Sequence, residues 1–194
     1  MASARMTLAD VALPRAGALP DVLLVLGASI LTGIAAQAAI HVPWSPVPLT
    51  GQTFVVLLSG AVLGARRAFL AQALYLLEGA AGLPVFAGGA AGALVFVGPT
   101  GGYLAAFPFA AGLVGLLAER GWDRRFATMV AAMLLGSGVI FALGLAGLAR
   151  FVPADGLLAA GLLPFVPGDL IKSVIAALAF PSLWRWAAGS GGAA

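Results

Sequence analysis

The sequence contains no cysteine, a single histidine (His41) and a single lysine (Lys172), and only 9% of its residues are charged. Without cysteine, disulfides, thiolate nucleophiles and cysteine metal ligands are excluded. One histidine cannot anchor a metal site by itself, and His41 reads as a loop residue at a membrane interface. Neither a metal, nor a cofactor, nor a catalytic cluster is expected. Soluble domains carry about 25% charged residues, so so low a share argues against a water-soluble fold. The net charge of +3 does not imply nucleic acid, because 10 basic residues spread along the chain are too few to track phosphates. Residues 98–102, Gly-Pro-Thr-Gly-Gly, lack the lysine and strand context of a phosphate loop. The chain therefore has no motif for ATP hydrolysis. The first 20 residues carry Arg5, Asp10, Arg15 and two prolines and no apolar core of signal-peptide length, so no cleaved signal is expected.

What is present is apolar: 62% of the chain is hydrophobic. The bilayer is the expected solvent and a single integral membrane domain the expected organisation. A spanning helix needs about 20 apolar residues. Candidate spans run over residues 22–40, 50–64, 68–80, 103–118, 126–149 and 167–186, with a short helical piece at 157–163. Residues 79–118 carry no charge but are too long for one helix. They are broken by the glycine- and proline-rich stretches 82–92 and 98–102. The fold class is thus an all-α membrane protein with six transmembrane helices. Residues 1–20 form a cytoplasmic segment, 21–188 the membrane domain, and 189–194 a flexible tail.

With six spans, eight of the nine arginines fall on one side: Arg5, Arg15, Arg66, Arg67, Arg120, Arg124, Arg125 and Arg185. Only Arg150 falls on the other. The positive-inside rule then places both termini in the cytoplasm, and Trp184 and Trp186 suit an interfacial belt. Residues 41–48, 82–92 and 150–161 all lie on the outer face. Irregular backbone at membrane depth must be buried in protein or line a cavity, so an outward-facing pocket is expected.

Asp169 and Lys172 stand out. Residues 157–168 and 173–184 around them carry no charge, and an ionisable side chain within a membrane costs about 2.5–3.5 kcal/mol on insertion scales. At i, i+3 the two share a helix face. The residues alone leave two readings open: a self-neutralising ion pair, or an acceptor and a cation that meet a polar ligand. Residues 82–92 read equally as an ordinary loop or as a stiff apolar lid. Thr50 and Gln52 enter the second span; Gln52, Gln37 and Gln72 read as hydrogen-bonding glue between helices. Glu78 snorkels or pairs at the end of the third span. Ala28, Thr32 and Ala36, and likewise Ala35 and Ala39, place small residues four apart. That pattern arises by chance in alanine-rich helices or marks a docking face.

Four blocks in order carry a resemblance: Pro-Val-Pro-Leu-Thr-Gly-Gln at 46–52, Gly-Leu-Pro-Val-Phe-Ala-Gly-Gly at 82–89, Gly-Pro-Thr-Gly-Gly-Tyr-Leu at 98–104, and Pro-Phe-Val-Pro-Gly-Asp at 164–169 with Lys172. Together they resemble the BioY family, biotin-specific substrate-binding (S) components of energy-coupling-factor (ECF) transporters. The resemblance implies the ECF S-component fold, with a biotin site near the outer face of a bacterial cytoplasmic membrane. It implies Asp169 and Lys172 as site residues, and our chemical assignment is that Asp169 accepts from ureido N–H groups and Lys172 faces the carboxylate. Phe86, Gly88, Gly89, Thr50, Gln52 and Tyr103 follow as walls or polar contacts. It implies as partners a transmembrane coupling protein, docked through Ala35 and Ala39, and two cytoplasmic ATPase subunits. The competing readings are an S component for another vitamin, an intramembrane enzyme using Asp169 and Lys172 as acid and base, and a scaffold without ligand.

Overall fold

The computed structural model describes residues 6–12 and 18–190. The expectations resting on Arg5, Arg15 and residues 191–194 of the tail lie outside the described residues. The chain is mostly helical, in the order α1 (Leu8–Ala12), α2 (Ala18–Gln37), β1 (Ala39–Ile40), β2 (Leu49–Thr50), α3 (Gln52–Leu63), α4 (Ala65–Ala80), α5 (Gly101–Ala118), α6 (Phe126–Leu148), α7 (Leu157–Gly161) and α8 (Val166–Ser190). The stretches Ala18–Gln37, Gly101–Ala118, Phe126–Leu148 and Leu157–Trp186 are long and apolar enough to cross a membrane. At 12 and 16 residues, α3 and α4 are shorter. Large apolar side chains such as Leu19, Leu23, Leu26, Ile30 and Ile34 on α2, and Ile171, Ile175 and Leu178 on α8, are exposed. Such a surface is suited to lipid, not water.

Helix α5 is the central post, packed against α3, α4 and α6. Glycine makes this possible: a Cβ at Gly60 would strike the Ala111 carbonyl of α5, and one at Gly102 the Leu143 carbonyl of α6. Close helix approach through small residues replaces the hydrophobic driving force that lipid does not supply. Buried polar contacts add to it. Gln72 Nε2 donates to Thr32 Oγ1 on α2 (3.1 Å) and Ser59 Oγ on α3 (3.2 Å), as expected of interhelical glue. Ser29 Oγ donates to Glu78, which thereby pairs instead of snorkelling free.

Two sequence expectations are corrected, and the amino-terminal segment gains a helix. The third span starts at Ala65, so Arg66 and Arg67 lie in its first turn and not in a loop. The cause is at hand: Gly64 turns sharply at φ 82°, and the Glu119 carboxylate accepts from the Ala65 amide (2.8 Å), capping the helix where a negative charge is favoured. The amino-terminal segment contains α1, whose Thr7–Asp10 box satisfies its first turn and whose Asp10 pairs with Arg67 (2.9 Å). Arg67 also pairs with Asp21 (2.7 Å). Finally, α2 ends at Gln37, and Ala39 lies in β1, paired with Thr50 of β2. Ala35 and Ala39 therefore do not share a helix face, and Thr32 and Ala36 are buried within the chain itself.

At the end of the bundle that carries most arginines, a short turn Trp122–Arg124 joins α5 to α6. Asp123 is buried there and accepts from Trp184 Nε1 of α8, while its other oxygen has no hydrogen-bond partner among the described residues. Burial pushes its carboxyl above the usual range, against the opposing effects of Trp184 and Arg124. A raised native pKa makes this group stabilising at low pH, and that contribution is lost as pH rises through the native pKa. Asp123→Asn keeps the Trp184 bond without a charge to desolvate. Thermal unfolding in detergent from pH 4 to 8 is expected to give the variant a flatter pH profile and a higher Tm than the parent at pH 8. Identical profiles would contradict this account.

Candidate ligand-binding site

The amino ends of α3, α5 and α8, the later half of α6 and the segments 41–50 and 86–100 meet around a cavity of about 340 Å³. That is within the range of small-molecule sites. Its walls are apolar and aromatic: Phe86, Val95, Tyr103, Leu104, Phe107, Ile140, Phe141 and Phe165. Its polar groups are few, namely His41, Thr50, Gln52, Thr53, Thr100, Asp169 and Lys172.

Glycines seat the largest rings. A Cβ at Gly79 would collide with the Phe86 ring, and a Cβ at Gly144 with the Tyr103 ring. Phe86, 2% exposed, then packs edge-on against Tyr75 (5.5 Å) and Phe96 (5.7 Å). Tyr103 stands against Phe165 (6.2 Å) and donates to the Gly161 carbonyl (2.8 Å), bracing α7 and the approach to α8.

The charged pair sits at the start of α8. Asp169 is 7% exposed, and among the described residues its carboxylate accepts no hydrogen bond. Its nearest cation is Lys172 Nζ at 3.7 Å, beyond hydrogen-bond distance. Lys172 instead donates to Thr53 Oγ1 (2.9 Å) and the Thr50 carbonyl (3.2 Å), tying α8 to the start of α3. The self-neutralising reading thus describes only part of the geometry. An acceptor with spare capacity and a cation stand side by side, facing apolar space. A carboxylate paired only at ion-pair distance keeps acceptor capacity, and a ligand donor would fill it.

Gln52 is buried and donates to Tyr75 Oη (2.6 Å), which donates to the Val85 carbonyl (3.1 Å). A polar chain thus runs from the cavity to residues 82–92. Of the residues singled out from sequence, Asp169, Lys172, Phe86, Gln52, Thr50 and Tyr103 line the cavity. Gly88 and Gly89 do not. They lie exposed in a turn whose flanking Ala87 and Ala90 do line it, at φ 67° and 74°, conformations that favour glycine. His41, read as an interfacial loop residue, is part of the lining. Phe107 was within reach, one helical turn beyond Tyr103 on the same face. Ile140 and Phe141 were not, because α6 is apolar all round.

A family model described as the BioY family matches residues 6–189. A biotin transporter named BioY from Thermotoga maritima is 46% identical over 153 residues, covering 78% of this chain and 89% of the relative. One of the same name from Rhizobium etli is 39% identical over 166 residues, covering 81% and 88%. A crystal structure of the S-component for biotin from an ECF-type ABC transporter matches with a TM-score of 0.74 at 25% identity, covering 86% of this chain and 92% of that one.

The Gln52–Tyr75–Val85 chain generates a direct test. Tyr75→Phe leaves the Gln52 amide without its acceptor and the Val85 carbonyl without this donor. Stranded buried groups cost about 1–3 kcal/mol. A clear drop in Tm of the detergent-purified chain is expected; an unchanged Tm would show that water or repacking replaces the phenol.

Proposed function

The chain belongs to the BioY family, and on that premise we propose that it captures biotin with high affinity as the substrate-binding subunit of an ECF-type transporter. It is a multi-pass membrane protein of a transporter family, not an enzyme. The observation that carries the reading is the open Asp169 carboxylate beside Lys172 in an otherwise apolar, aromatic cavity. Biotin supplies what such a cavity lacks: N–H donors, a carbonyl acceptor and an apolar bicyclic body.

The geometry favours a different pose from the one assigned on chemistry alone. Asp169 and Lys172 lie 3.7 Å apart, and Lys172 is held to the start of α3. The ureido and carboxylate groups of biotin lie at opposite ends, separated by the bicycle and a four-carbon chain. One close pair does not reach both ends. It does match the ureido group itself, which presents N–H and C=O side by side: Asp169 accepts and Lys172 donates. The carboxylate is then left to the rest of the cavity. Phe86, Tyr103, Thr50 and Gln52 form walls and polar contacts, with Gly88 and Gly89 shaping the turn behind Phe86.

In this reading α2, α3, α4, α5, α6 and α8 cross a bacterial cytoplasmic membrane, within a binding domain over residues 21–188. Both termini are cytoplasmic, with residues 1–20 as a leading segment and 189–194 as a tail. Support comes from Arg66, Arg67, Arg120, Arg124, Arg125 and Arg185, which gather at helix ends opposite those around the cavity. A transmembrane coupling protein and two cytoplasmic ATPase subunits would supply the energy.

Equilibrium binding of labelled biotin to the purified chain tests the function. Saturable binding that thiamine and riboflavin do not displace is expected; no binding by folded protein would contradict it. Asp169→Asn is expected to weaken biotin and biotin amide at least tenfold, since hydrogen bonds to charged groups contribute about 1.5–3 kcal/mol. Lys172→Ala is expected to weaken both to the same extent. A larger loss for the acid would return Lys172 to the carboxylate.

A further inference from the structure

We propose that Gln37 is a positioning residue that latches the cavity wall shut and thereby sets how long the ligand stays. The proposal rests on the capture reading for its ligand, and on geometry for its mechanism.

Gln37 was read from sequence as glue between helices, but its side chain does something else. It is the last residue of α2, and its amide reaches across to the turn that carries Phe86. Nε2 donates to the Phe86 carbonyl (3.2 Å) and to the Gly33 carbonyl of its own helix (3.0 Å). Oε1 accepts from the Gly89 amide (3.1 Å). One side chain thus holds both ends of the turn, donating to one and accepting from the other. A carboxylate cannot donate and an ammonium cannot accept, so neither a glutamate nor a lysine in its charged form makes this double contact.

The turn is held from two sides that differ in kind. On the inner side, the Val85 carbonyl accepts from Tyr75, which is fully buried, with Gln37 Nε2 at 3.5 Å as a weaker second donor. On the outer side, Gln37 is exposed and its bond to Gly89 faces solvent. Water competes there, so the outer attachment opens more readily and the inner one acts as the hinge. Opening moves Phe86, Ala87 and Ala90, all of which line the cavity. Since α2 runs directly into β1, the same residue also joins this turn to the proline-rich loop that lines the cavity between β1 and β2.

The test uses the full chain in detergent, with Gln37→Ala and Gln37→Glu. Labelled biotin is bound, then chased with excess unlabelled biotin, while amide exchange at Gly89 is followed separately in ligand-free protein. Two lost hydrogen bonds at the low end of their usual strength predict release about fivefold faster for Gln37→Ala. The association rate should change little, and Gly89 exchange should accelerate. Gln37→Glu keeps the acceptor but faces the Phe86 carbonyl with a carboxylate, and should also release faster. Parental release rates in both variants would overturn the latch. So would parental Gly89 exchange, whether or not biotin binds. Failure of the parent chain to bind biotin would instead overturn the capture reading, leaving the exchange measurement to decide the latch.

Discussion

A buried ionisable carboxylate that accepts no hydrogen bond among the described residues is the constraint around which this structure is arranged. Asp169 lies in the first turn of α8, where the helix dipole favours a negative charge. That favour is small against the cost of desolvation, about 2.5–3.5 kcal/mol on insertion scales. Lys172 offsets part of it at 3.7 Å but spends its own hydrogen bonds on Thr53 and Thr50. The protein therefore keeps an acceptor in reserve. The β1–β2 pair, the start of α3 and the turn behind Phe86 all converge on the space it faces.

A bundle rich in alanine and glycine would ordinarily leave no room for an aromatic cage. Here the small residues serve two ends. Gly60 and Gly102 let α3 and α6 close on α5, while Gly79 and Gly144 give up their side-chain volume to Phe86 and Tyr103. Both rings pack over these glycines and wall the cavity. Specificity then comes from a handful of polar groups set in apolar surface, which is the usual composition of a small-molecule site.

Much of this was legible in the chain. Long uncharged runs bounded by arginine, glycine and proline gave helices whose limits shifted by only a few residues. Asp169 and Lys172 announced themselves by being charged where nothing nearby was. What the pattern could not give was anything decided between distant segments. Glu119 capping α4 rests on a tertiary contact, as do the burial of Thr32 against Gln72 and the chain from Gln52 through Tyr75 to Val85. The shared helix face read for Ala35 and Ala39 does not form, for a local reason: the helix stops at Gln37, and spacing by four loses its meaning in a strand. The 3.7 Å between Asp169 and Lys172, on which the proposed pose turns, was not legible in the chain either.

The central claim is that a ligand completes the reserve valence of Asp169. A structure of the chain determined with biotin bound tests it most directly. The account predicts biotin within this cavity, with a ureido nitrogen at hydrogen-bond distance from the Asp169 carboxylate and the ureido oxygen toward Lys172. Biotin seated elsewhere, or in the cavity with Asp169 bonded only to protein, would contradict it.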